Sequence, residues 1–280
     1  MPTPPRTPVY EGLLLTMAIS LHVRHEVTPE RCLAVLQALE QGEPYDHITQ
    51  PERQVARLRQ LGLVQEDVPS PLGATLLDLC RQKPDLWGDM AHFLHYTVWD
   101  SEGDSRPGLS WTYRRVTDAA WSLSEFALTA ETREAVASSL INQVEDEPGI
   151  DIGDLKKEAA SLSKDSVNGV LHWFAALVPP TREDDTFHRR HFCPRELTLL
   201  ATAWVCRRSD ADLGIDLLLT PARREAICRL CLLEPAALDR TLDWMLPSFA
   251  RIVVPGTTAG AYGRFLRFLK WPTFADLVRP

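Results

Sequence analysis

A mainly α-helical chain with small β-hairpins is predicted by three features of the sequence. Apolar residues recur at helical spacing through most of the 280 residues. Thr28-Pro29 and Thr220-Pro221 each pair an N-cap with proline at the first helical position. Between Gln50 and Leu77 a short helix runs into Gly62, an apolar pair, a polar loop and then Pro71-Leu72-Gly73. That last order requires a tight return between two helices.

Residues 1–8, MPTPPRTP, read as a flexible tail. Tyr10–Arg24 is Leu-rich and reads as a packing helix. The next helix starts at Pro29, carries Leu33, Leu36 and Leu39, and stops at Gly42. Gln50–Leu61 places Val55, Leu58 and Leu61 on one side, which leaves Arg53, Gln54, Arg57 and Gln60 for the other. Leu63-Val64 is a candidate strand, Gln65–Ser70 a loop, and Pro71–Cys80 a helix. Helices are expected over Leu86–Val98, Ser110–Phe126, Ala130–Gln143, Ile152–Leu162 and Ser166–Leu177, with Asp100–Gly108 as an exposed loop. VPPTREDDT, Val178–Thr186, reads as a domain boundary. Beyond it come helices over Pro194–Cys206, Pro221–Leu233 and Pro235–Leu246, then a strand over Phe249–Val254 and a turn, PGTTAG. Ala261–Trp271 fits a returning strand or a basic amphipathic helix.

The order of helix, strand, polar loop and return across Gln50–Leu77 resembles the second half of a winged helix-turn-helix domain. Two helices followed by a hairpin at the C-terminal end resemble a second such unit. The resemblance implies a winged-helix domain over 9–82, an acidic helical domain over 83–180, and a basic helical domain over 187–280 that is a possible second winged helix. The layout also resembles uncharacterised winged-helix proteins of bacterial DNA-modification and phage-defence gene clusters.

Charge is uneven along the chain. The formal net charge is −8. Residues 1–80 carry −4, residues 81–186 carry −9 and residues 187–280 carry +5. A basic C-terminal third is what a polyanion-facing surface requires, although it also suits packing of one half of the chain on the other. Arg and Gln offer the donor geometry that base edges accept, so Arg53, Gln54, Arg57 and Gln60 are the candidate groove residues. Arg59, with Arg264, Arg267 and Lys270, is the candidate phosphate set. Glu66-Asp67 in the loop opposes phosphate. Double-stranded DNA is therefore the expected nucleic-acid partner. The competing expectation is a protein-binding assembly subunit whose docking face holds Trp99, Trp111, Tyr113 and Trp121, since aromatic residues are enriched at interfaces.

No enzyme signature is present: the P-loop, dinucleotide-binding, nucleophile-elbow and zinc-protease patterns are all missing. Asp154-Leu155-Lys156 has the D-x-K element of some nucleases but reads as an acidic helix start. Cys228-x-x-Cys231 lies inside an apolar helix, where free cysteine acts as a small hydrophobe, and His92-x-x-His95 reads as a hydrogen-bonded core pair. Neither cofactor nor metal is expected. Six cysteines do not form a disulfide framework, and no apolar run is long enough to span a bilayer, so a cytoplasmic protein without a membrane partner is expected.

Overall fold

In the computed structural model the described residues are 22–98, 109–145, 162–209, 211–256 and 263–278. They form a mainly helical structure with three small antiparallel sheets. The expected helix at Tyr10–Arg24 lies almost wholly outside the described residues, as do the tail, Trp99, the Asp100–Gly108 loop and the expected helix at Ile152–Leu162 but for its last residue.

α1 (Pro29–Gln41) begins where Thr28 Oγ1 accepts from the Arg31 amide, and ends at Gly42 in the left-handed region, φ 67°. α2 (Pro51–Gln60) leads into β1 (Val64–Gln65) and β2 (Val68–Pro69). Glu66 and Asp67 both have positive φ, 49° and 60°, so this hairpin closes through a two-residue primed turn. Ser70 then caps α3 (Pro71–Gln82) by accepting from Gly73 N at 3.1 Å. A short 3-10 turn joins it to α4 (Trp87–Thr97).

The middle of the chain is not purely helical. α5 (Leu109–Leu123) stops one turn earlier than its periodicity suggests, because Ser124 adopts φ 71° and directs the chain into β3 (Glu125–Ala127). α6 (Ala130–Glu145) and α7 (Lys164–Phe174) follow. Within and just after the segment expected as a boundary, Val178–Thr186, lies a hairpin of β4 (Arg182–Glu183) and β5 (Thr186–His188). β5 pairs with β3 as well, in the order β3-β5-β4, with Phe126 opposite Phe187.

The same order recurs after it. α8 (Arg195–Arg207), β6 (Asp216–Leu218), α9 (Pro221–Leu230) and α10 (Leu238–Ser248) precede a hairpin of β7 (Val253–Pro255) and β8 (Phe265–Phe268). The sheet order is β6-β8-β7. The ambiguous Ala261–Trp271 segment is therefore a strand in its described part. α11 (Ala275–Val278) closes the described chain and packs on α3.

A single apolar core cluster extends from Val23 to Leu277 and draws on every helix described. Its tightest approach is at Gly88 in α4, where an added Cβ would lie 1.9 Å from the Ala176 carbonyl oxygen. Only glycine lets α4 meet the end of α7 there. Gly88→Ala is expected to destabilise the fold by about 2 kcal/mol or more, because backbone must move to admit one methyl. Urea unfolding of the variant would measure this, and an unchanged midpoint would mean the approach is looser.

Candidate interaction surfaces and the buried polar seam

The residues expected to read DNA separate into buried and neutralised groups. Gln54 is fully buried, its amide donating to the Glu26 carbonyl at 3.0 Å while its oxygen accepts from Cys32 Sγ at 3.3 Å. Arg57 is 5% exposed and points inward, where Nη1 donates to His95 Nε2 at 3.1 Å. Both therefore correct the expectation of an outward face. The stripe of α2 that packs inward is wider than Val55, Leu58 and Leu61 suggest, because α1 packs along it and His95 of α4 receives Arg57. Arg53 and Arg59 remain at the surface, paired with Glu26 and Asp67, and Gln60 is exposed.

At the C-terminal end every candidate phosphate cation meets a carboxylate. Arg264 pairs with Asp243 at 2.6 Å, Arg267 grips Asp216 through Nε and Nη2 at 3.0 Å each, and Lys270 pairs with Asp276. Such exposed pairs add little stability, yet they lower the positive potential offered to phosphate. Phe268 meanwhile sits in the core and Trp271 against it, while Phe265 is half-buried.

The expected aromatic docking face is also corrected. Trp111 and Tyr113 are fully buried, and Trp121 is 7% exposed with its indole N–H donating to Leu233 O at 2.9 Å. Helix α5 thus turns its aromatic side toward the core. Among the described residues the exposed aromatic is a different one, on α10. Trp244 on α10 is 52% exposed, its ring 4.7 Å from that of Phe192. Asp239, Arg240 and Asp243 share that outer face. Next to Phe192, His191 borders a polar groove of about 460 Å³ whose walls include Glu125, Glu183, His188 and Glu234. No sequence motif marks this groove, because its walls come from segments up to 110 residues apart brought together by β3, β5 and the Arg190–Leu233 bridge.

Beneath these surfaces runs a seam of buried polar groups. Arg190 and Asp89 are both fully buried and paired at 2.7 Å. Arg190 Nε donates to Cys231 O at 2.7 Å, and Asp89 Oδ2 accepts from Val178 N at 3.0 Å. Burial pushes the Asp89 carboxyl up, and the guanidinium and the Val178 amide pull it back. Both of its oxygens accept hydrogen bonds, so the pair stands as carboxylate and guanidinium.

His92 and His95 are core residues with fixed tautomers. A carbonyl needs a donor, so His92 Nε2–H donates to Leu230 O at 2.7 Å, and Nδ1 accepts from Tyr113 Oη at 2.8 Å. By the same logic His95 Nδ1–H donates to Ala91 O at 2.7 Å, leaving Nε2 to accept from Arg57. Burial pushes His92 down to about 3, and it pushes His95 well below its ordinary value, helped by the Arg57 charge. The six cysteines are free and buried, and among the described residues no cluster of His, Cys, Asp or Glu could hold a metal. Among them too, no helix is long and apolar enough to cross a membrane. No family model, curated protein or solved structure matches the chain.

Two outcomes are expected from the seam. Asp89→Ala leaves a buried guanidinium without its partner and should cost about 3–5 kcal/mol, measured by urea unfolding. The histidines stay neutral in the fold but protonate below 6.5 when unfolded, so stability is full above that pH and falls as the pH drops toward 3. The loss between pH 7.5 and 5 should be about 2 kcal/mol for each histidine. His92→Phe should be less stable at pH 7.5 yet show a flatter pH dependence; parallel curves would contradict this.

Proposed function

We propose that the chain is a non-catalytic assembly protein built from winged-helix units, which docks a partner protein on the outer face of α10. The order helix, strand, helix, helix, hairpin over residues 195–268, with sheet order β6-β8-β7, supports a winged-helix unit there. Among the described residues of 109–188 the order is the same, with the sheet β3-β5-β4. In that middle unit the last helix before the hairpin, α7, is largely buried and offers no reading face. In the C-terminal unit the equivalent helix, α10, is open.

One observation carries the protein-binding reading. The outer face of α10 presents a half-exposed tryptophan tilted against Phe192, with Asp239, Arg240 and Asp243 around it. Aromatic anchors with a polar surround are typical of protein interfaces. Trp244→Ala should leave the fold intact, because half of the side chain already meets solvent. It should also remove a discrete set of proteins retained by the tagged wild-type chain. Identical retained sets would overturn the assignment of this face.

A second reading, duplex DNA binding through α2, is favoured by the surface cations Arg53 at its start and Arg59 at its end, the latter meeting Asp67 of the β1–β2 turn, with Gln60 exposed beside it. Either role suits a non-enzymatic part of a DNA-modification or phage-defence system, which the sequence layout resembles. Fluorescence anisotropy with duplex DNA at about 50 and 200 mM salt separates the two, since phosphate contacts weaken steeply over that range. For the protein-docking reading, no micromolar binding is expected at the lower salt. Tight binding that Arg53→Ala/Arg59→Ala abolishes would instead establish α2 as the DNA contact.

A further inference from the structure

Arg57 carries a buried charge that no group around it balances. Its side chain is 95% hidden, and among the described residues no carboxylate pairs with it. Its surroundings can be taken element by element. From α1, Cys32 is a thiol pushed up to about 12 by burial, and it donates to Gln54. From α4, His95 is a neutral acceptor and His92 is a neutral imidazole engaged with Tyr113 and Leu230. From α5, the Tyr113 phenol is pushed far up by burial and donates to His92. The nearby acids are already engaged, Glu26 with Arg53 and Asp89 with Arg190. Burial draws Arg57 itself down to about 10, which leaves it charged at pH 7.

Two donors on residues that touch His95 also reach no acceptor among the described residues. Arg57 Nε is buried without a hydrogen bond, and so is the Trp173 indole nitrogen from α7. Both residues pack on the His95 ring: Arg57 through its 3.1 Å hydrogen bond, Trp173 with ring centroids 4.4 Å apart. An unpaired buried charge and an unsatisfied buried N–H are each costly. A neutral water would satisfy the donors and leave the charge. A small anion answers both.

We propose that the junction of α2, α4 and α7 is a binding site for a small monovalent anion of the halide class, held by Arg57 Nε and Trp173 Nε1 beside His95. Occupancy ties α2 to the middle of the molecule, because its ligands come from both. The site is independent of the α10 face and of DNA contact.

The test is thermal unfolding at pH 7.5 in sodium chloride or sodium bromide against sodium gluconate at equal ionic strength. The halides are expected to raise the midpoint by about 2–4 °C at tenfold saturation, relative to the same comparison in Arg57→Met. Trp173→Phe, which removes one donor and keeps the charge, should show a smaller rise. Equal halide effects in wild type and Arg57→Met would overturn the site. If Arg57→Met does not fold, bromide-soaked crystals decide: an anomalous peak within hydrogen-bonding distance of Arg57 Nε is expected, and an empty map there overturns the proposal.

Discussion

The ion pair between Asp89 and Arg190 is the constraint around which the rest of the molecule is arranged. Neither side chain meets solvent. A guanidinium and a carboxylate in that position are tolerable only if every neighbouring element stays in place, since separating them strands two charges in a medium of low polarity. Arg190 reaches α4 through Asp89, the end of α7 through the Val178 carbonyl, and the end of α9 through the Cys231 carbonyl. Its own backbone bridges Leu232 and Glu234. One residue thus holds the middle sheet, α4 and the C-terminal unit in register. His92, hydrogen-bonded from α4 to both α5 and α9, repeats that link one turn further along.

This arrangement explains why the outer surface looks different from what residue types suggest. Cations that a linear reading assigns to DNA are drawn into the seam, as Arg57 is, or matched by acids, as Arg267 and Arg264 are. In the basic C-terminal third, Arg264, Arg267 and Lys270 are each matched by a carboxylate. What is left open is α10 with Trp244, and a groove whose walls belong to the middle and C-terminal units together. Both features depend on the seam for their geometry.

How much was legible in the sequence follows physical lines. Helices announced by Thr-Pro starts and glycine stops were readable at Thr28, Gly42 and Thr220, because capping is local chemistry. The mainly helical class followed from them. The strands were mostly missed: β3, β4 and β6 hold two or three residues each, too few for alternation to register. The turns that create them lie at Ser124 and Asp184, residues with positive φ that composition does not announce. The surface residues were the least legible. A polar side chain such as Gln54 or Arg57 is ordinarily outside, and only tertiary packing on both flanks of α2 places it within. Trp111 and Tyr113 erred the other way, since α5 is covered by partners distant in sequence.

If the buried polar seam makes the units one cooperative structure, native-state hydrogen exchange tests it most directly. The amides of Val178, Arg190 and Glu234, which carry the seam's backbone bonds, are expected to exchange only through global unfolding. Their exchange free energies should match the unfolding free energy and fall together in Asp89→Ala. Exchange of these amides by a separate, lower-energy opening, with the C-terminal helices still protected, would contradict a seam that holds the molecule together.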